Sequence, residues 1–240
     1  MFPSAVGRSF YSTVFPPDWV HLGWSSYAAV WLSRVPAAIP DHIIPMRSNP
    51  DVRSAYLKQA AADWRLFLSL RAAELRSGGR LVVVLPARDD AGSTGLDEFM
   101  DHANAAARDL VEAGAIGADE VARMALPVFT RSKADLLAPF ADGRFEGLTV
   151  EHCAMEVLPD AGWATYQLTQ DRHALAREQA LFFRVIFIPT LATALDERRT
   201  ASERNAFADL LTDALERRLV QAPAPMHRFV ATIVLAKNAG

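Results

Sequence analysis

Gly78-Gly-Arg-Leu-Val-Val-Val-Leu-Pro86 holds a run, Arg80 to Pro86, that is apolar at every interior position rather than at alternate ones. That pattern suits a strand buried on both faces, which is the environment of a parallel sheet. Upstream, Asn49-Pro50-Asp51 opens a segment in which Tyr56, Ala60, Trp64, Phe67, Leu68 and Leu75 recur close to a 3.6-residue period. The spacing predicts a long helix that closes on Gly78-Gly79 as its C-cap. A helix feeding a buried strand is half of a βαβ unit.

Working toward the N-terminus, Trp19 to Trp24 reads as a short buried strand after the turn Phe15-Pro16-Pro17-Asp18. Ser25 or Ser26 is expected to cap a helical segment through Arg34, before Pro36 and Pro40 break the chain. Toward the C-terminus, a Ser93-Thr94 cap precedes Leu96, Phe99, Met100, Ala103, Ala106 and Leu110 in helical spacing, closing at Gly114. A short helix is expected over Asp119 to Met124, a strand within Phe145 to Leu158, and two long helices over about 173–197 and 201–219. Arg228 to Ala236 is rich in β-branched residues and reads as a closing strand. Four strands and about six helices make half of a doubly wound α/β sheet, with one edge left to be covered.

Composition narrows the function classes. The 240 residues are 51% hydrophobic and 22% charged with 12 Gly and 14 Pro, which excludes disordered and low-complexity classes. A net charge of −3 without a lysine run argues against nucleic acid as a partner. The lone Cys153 leaves no internal disulfide, so a reducing, cytoplasmic setting is the expectation and the thiol reads as core filler. Met1 to Phe10 lacks the pattern of a signal peptide. The apolar window Leu181 to Leu195 is interrupted by Arg184 and Pro189, so no membrane association is expected.

No nucleophile elbow, phosphate-binding loop, H-E-x-x-H or G-x-G-x-x-G run occurs, and the six histidines form no pair at ligand spacing. What stands out is an ordered set of blocks. They read Gly7-Arg-Ser-Phe-Tyr-Ser12, Val14-Phe15-Pro16, Ser25-Ser-Tyr-Ala-Ala-Val-Trp-Leu-Ser-Arg-Val-Pro36, and Phe67 through Gly78-Gly79-Arg80 with the strand behind it.

In that order and spacing the chain resembles the SABATH family of S-adenosylmethionine-dependent carboxyl methyltransferases, whose members methylate salicylate, benzoate, jasmonate and xanthine alkaloids. The resemblance implies the C-terminal half of a Rossmann-like class I methyltransferase sheet, about four strands, with an α-helical cap. Residues 1–92 would be the second half of the S-adenosylmethionine-binding core, 93–145 and 160–220 the cap, and 146–159 with 221–240 the last strands. It further implies that Ser9, Phe10 and Tyr11 lie beside the cofactor adenine. Tyr27, Val30 and Trp31 would bind substrate, the Trp31 indole N–H holding a carboxylate, and Phe99, Met100, Phe129, Ile186 and Phe229 would shape the pocket. Aromatic residues at helical spacing also suit a plain core, and that reading stays open for Phe99, Met100, Phe129 and Phe229 in particular.

By the same resemblance the substrate is a small aromatic or apolar acid, and the reaction needs positioning rather than a catalytic base, because a carboxylate is already ionised at neutral pH. No metal is expected, since the family's D-x-F-N ligand run falls on Ala122-Arg-Met-Ala125. The family's first three strands have no counterpart here. Three readings follow: an enzyme part that needs that N-terminal segment; a non-catalytic relic that binds an apolar acid or pairs with a full-length paralogue through its open edge, a homodimer also being open; or a globular α/β protein of unrelated function, which fits the composition but not the ordered blocks.

Overall fold

The computed structural model describes residues 5–238; Met1 to Ser4, on which the leader and first-segment readings partly fall, and Ala239 with Gly240 lie outside them. Four strands form one sheet, β1 (Val20–Ser26), β2 (Leu75–Pro86), β3 (Leu148–Leu158) and β4 (Arg228–Lys237), in the order β1-β2-β4-β3. β1 runs parallel to β2. β4 lies antiparallel to both β2 and β3. The Arg80–Pro86 run is thus a central strand, flanked on both sides, and its alternate residues Leu81, Val83 and Leu85 are at most 2% exposed.

Helix α1 (Pro50–Glu74) covers that sheet. Asn49 caps its start by accepting from the Val52 amide at 3.0 Å, with Pro50 in the first turn where a missing N–H costs nothing. Trp64, Phe67 and Leu68 turn inward onto Leu81, Val83, Leu85 and Ile233. Burial of side chains this large stabilises the layer by about 2–3 kcal/mol each.

The expected glycine cap is displaced. α1 stops at Glu74, where the amides of Asp18 and Trp19 take the last carbonyls of Ala73 and Glu74 at 3.1 and 3.0 Å. Gly78 and Gly79 lie inside β2 instead. Gly78 adopts φ +76°, and a Cβ on Gly79 would come within 2.9 Å of the Val20 carbonyl, so the pair accommodates an irregularity in the β1–β2 register.

The helical segment expected through Arg34 is also absent. Tyr27 takes a left-handed φ of 57°, and the following residues pair with a distant stretch: Leu32 N–H donates to Pro127 at 2.7 Å and Phe129 N–H to Val30 at 3.0 Å. Tertiary pairing outcompetes local helix formation here.

The remaining helices are α2 (Asp97–Glu112), α3 (Ala118–Arg123), α4 (Lys133–Leu137), α5 (Ala161–Thr169), α6 (Arg172–Ile186), α7 (Ile188–Leu191) and α8 (Ala201–Gln221). The long helix expected over 173–197 is broken at Phe187, because Pro189 has no N–H to continue the ladder. α5, started by Asp160 accepting from Trp163 N–H at 3.0 Å, has no counterpart among the sequence expectations. α2, α6 and α8 pack together around Phe99, Met100, Phe183, Phe187, Phe207 and Leu211. This second core sits apart from the sheet core, and a smaller cluster of Leu32, Ile39, Val52, Tyr56, Ala60 and Phe129 is packed separately.

Candidate functional site

Ligands in open α/β sheets bind beyond the carboxyl ends of the parallel strands, and here those ends are Ser26 of β1 and Pro86 of β2. Tyr27 follows β1 directly, its N–H donating to the Val84 carbonyl at 2.8 Å and its side chain 44% exposed. The chain then turns so that Trp31 forms a bridge with Val128, and Trp31 N–H closes onto Ala28 at 3.0 Å. The Trp31 ring is half-buried with its centroid 6.3 Å from that of Phe187. Among the described residues its indole N–H reaches no protein acceptor, which leaves a directional donor beside an apolar wall.

That wall is continuous. Phe187 stands 5.3 Å from Phe183 and 6.3 Å from Phe182, and Phe99 lies about 6 Å from both of them. Trp31, Phe99 and Met100 therefore belong to one apolar assembly. Phe129 joins the adjoining cluster, although its backbone is bonded to Val30 and the Arg88 guanidinium lies 5.0 Å above its ring. Val30 itself is buried, at 5% exposure. Phe229, the second residue of β4, lies opposite Val157, beside the carboxyl end of β2, and its carbonyl accepts from Ala87 N–H at 3.0 Å. Ile186 is exposed at the end of α6, and its neighbour Phe187, which the sequence reading passed over, is the residue that meets Trp31.

On the other side of the 27–31 turn lies the loop of Ser9, Phe10 and Tyr11. Ser9 is exposed and organises the turn, its carbonyl accepting from Ser12 N–H at 3.0 Å and from the Ser12 hydroxyl at 2.6 Å. Phe10 packs 4.5 Å from Tyr11 and edge-on to Phe67. The Tyr11 hydroxyl donates to the Trp31 carbonyl at 2.6 Å, and burial pushes its pKa up to about 12. A groove of about 840 Å³ runs from this loop along β1, walled by Phe10, Phe15, Trp24, Ser25, Phe67 and Glu74.

Beneath the turn sits Arg131, 1% exposed, donating to the carbonyls of Ala29 at 2.5 Å and Ala60 at 2.9 Å. Its guanidinium lies 5.5 Å from the Trp64 ring centroid. No local pattern in the sequence flags it, because its two acceptors are 102 and 71 residues away.

Among the described residues no group of three or more His, Cys, Asp or Glu side chains gathers to hold a metal ion. Nor is any described helix long and apolar enough to cross a membrane. Cys153 lies half-buried in β3, its pKa raised by burial.

A family model described as SAM dependent carboxyl methyltransferase matches residues 1–237. The chain is 31% identical over 214 residues to a "Probable caffeine synthase" of Coffea canephora, covering 81% of this chain and 54% of that protein. It is 35% identical over 141 residues to a benzoic acid/salicylic acid carboxyl methyltransferase of Petunia hybrida, covering 56% of this chain and 40% of that protein. Loganic acid methyltransferase, solved with SAH, shares the fold at a TM-score of 0.73 and 23% identity, over 99% of this chain and 67% of that one. The chain spans about half the length of the curated relatives it matches.

Proposed function

The chain belongs to the SAM-dependent carboxyl methyltransferase family, and from that premise we propose that it forms the acid-binding part of an enzyme that methylates the carboxylate of a small aromatic or apolar acid. The observation that carries this reading is the Trp31 indole N–H, without an acceptor among the described residues and set against the aromatic wall that runs through Phe187 to Phe99. A carboxylate oxygen accepting from Trp31 would be fixed in direction, with its apolar body against that wall. Such positioning and exclusion of water are what a methyl transfer to an already ionised nucleophile requires. When bound, S-adenosylmethionine supplies the electrophilic sulfonium methyl group.

The end of the groove at Phe10 and Ser25, beyond the carboxyl end of β1, fits part of that cofactor. Phe10 and Phe67 offer ring faces and edges for a planar base, with Ser9 and Tyr11 beside them, and Ser25 adds a hydroxyl at the strand end. The groove's one carboxylate, Glu74, already accepts from two amides and Arg71, so a partner for sugar hydroxyls must come from elsewhere. β1 also presents Leu22 and Trp24 to solvent, at 65% and 68% exposure, with Trp19 just before it at 66%. That edge supports a working enzyme in which further strands, from this protein or a paired one, continue the sheet. In this reading residues 93–145 and 160–220 cap the acid and the single-cysteine chain works in the cytoplasm.

The test is calorimetric titration of the chain with benzoate, alone and with S-adenosylhomocysteine, followed by methyl transfer from labelled S-adenosylmethionine to a panel of aryl and alkyl carboxylates. Binding of benzoate that a Trp31→Phe substitution weakens at least tenfold supports the reading. Equal binding by both proteins returns Trp31 to the core.

A further inference from the structure

We propose that Arg71 and Glu74 are a positioning pair whose task is to hold the Phe10–Phe15 loop, and through it Trp31, in register at the site. The inference rests on the reading above that this loop faces the cofactor base. Glu74 breaks two local preferences. It is an acid in the last turn of α1, where the helix dipole disfavours negative charge, and its side chain is only 3% exposed. A residue that is locally unfavourable and yet buried points to a role outside its own helix.

That role is visible in its partners. Glu74 Oε1 accepts from the Val14 amide at 2.6 Å, the Phe15 amide at 3.3 Å and Arg71 Nη2 at 2.7 Å. Arg71, one turn earlier with a 12% exposed side chain, donates from Nη1 to the Phe10 carbonyl at 3.0 Å and from Nη2 to the Ser12 carbonyl at 2.9 Å. The pair thus engages four backbone groups of one loop from some 60 residues away, accepting from two and donating to two. Because every contact is to main chain, the pair dictates the path of the loop whatever side chains it carries.

The path matters because of what the loop holds at its start. Phe10 rests on Phe67, over which the Arg71 guanidinium also lies at 5.6 Å, and Tyr11 reaches the Trp31 carbonyl. A continuous chain of contacts therefore runs from the Glu74 carboxylate through the loop to the residue that carries the free indole N–H. Fixing the base-side wall and the acid-side donor relative to each other is what an in-line transfer demands.

Amide hydrogen exchange and S-adenosylhomocysteine titration of the chain test the pair, using Arg71→Lys, Glu74→Gln and Glu74→Ala. Lysine keeps the charge but cannot reach two carbonyls and a carboxylate together, and glutamine keeps an acceptor for the loop amides while losing the ion pair. The expected result is at least tenfold faster exchange at Val14 and Phe15 in Arg71→Lys and Glu74→Ala, with amides of α8 unchanged. Glu74→Gln should restore part of the protection, and affinity for S-adenosylhomocysteine should fall in the same order. Unchanged exchange at Val14 and Phe15, or equal loss across α8, overturns the pair's positioning role. Variants that show the loop effect while the wild-type chain binds neither S-adenosylhomocysteine nor benzoate sink the functional reading separately.

Discussion

The Tyr11 hydroxyl donates to the Trp31 carbonyl oxygen at 2.6 Å, joining the Ser9–Tyr11 loop to the end of the 27–31 turn, 20 residues on in the chain. Tyr11 belongs to the aromatic pair that borders the β1 groove, and Trp31 to the aromatic assembly of the helical core. One short hydrogen bond, made in a partly buried setting where its loss is costly, therefore couples the two halves of the proposed site.

Replacing Tyr11 by Phe should lower stability by about 1 kcal/mol and weaken benzoate binding several-fold, because the ring still packs while the Trp31 carbonyl loses its donor. Alkali provides a second readout. The folded-state pKa of Tyr11 is raised to about 12 and that of Tyr56 likewise, both by burial, against about 10 when unfolded. The folded chain keeps these protons longer, so stability is fully present below pH 10 and falls as pH rises from 10 through 12. Unfolding scans across that window should show a shallower fall in Tyr11→Phe than in the wild type.

Trp31→Phe keeps an aromatic ring beside Phe187 and removes only the indole N–H, so melting should shift by no more than a few degrees while benzoate affinity drops about tenfold or more. Toluene, which offers the ring but no acceptor, should bind the two proteins alike. Calorimetry with both ligands separates loss of a specific donor from loss of packing.

Arg131→Lys should cost about 2 kcal/mol in urea unfolding followed by tryptophan fluorescence. A single ammonium cannot donate to the Ala29 and Ala60 carbonyls in the same fork, and one acceptor is left buried without its partner. Because Ala29 lies in the site turn, loosened exchange at Val30 and Trp31 should accompany the loss.

Glu120 ties α3 to the segment before α8. The Arg199 guanidinium, which hydrogen-bonds it at 2.6 and 2.5 Å, holds its pKa down at about 2, and the amides of Asp196 and Gly117 add to the effect. A depressed folded-state value means this contribution is present above about pH 4.5 and is lost as pH falls from there through 2. Glu120→Gln should therefore cost about 1–2 kcal/mol at pH 7, and the difference from wild type should shrink toward pH 2 in thermal melts.

The sequence made the sheet and the family likeness legible. Arg80–Pro86 and Arg228–Ala236 read as strands because their apolar, β-branched residues suit only a buried extended chain. Ordered blocks around Phe10, Tyr27 and Trp31 carried the family likeness, which the match over residues 1–237 shows. Where α1 ends was not legible: Gly78-Gly79 is the better local stop signal, yet the Asp18 and Trp19 amides terminate the helix four residues sooner. The turn at Tyr27 was missed for the same reason, since its alternative to a helix is pairing with Leu126–Arg131, about a hundred residues away.

The same division holds for the site. Arg71 and Glu74 stand at an i,i+3 spacing, which from the chain alone is indistinguishable from an ordinary helical ion pair. Apolar periodicity, capping residues and aromatic blocks are local properties, carried by neighbours within a turn or two, and they specify which elements form. Which loop a buried guanidinium holds, and that Phe187 rather than Ile186 meets Trp31, depends on contacts closed across 61 to 156 residues, and those exist only once the chain is folded.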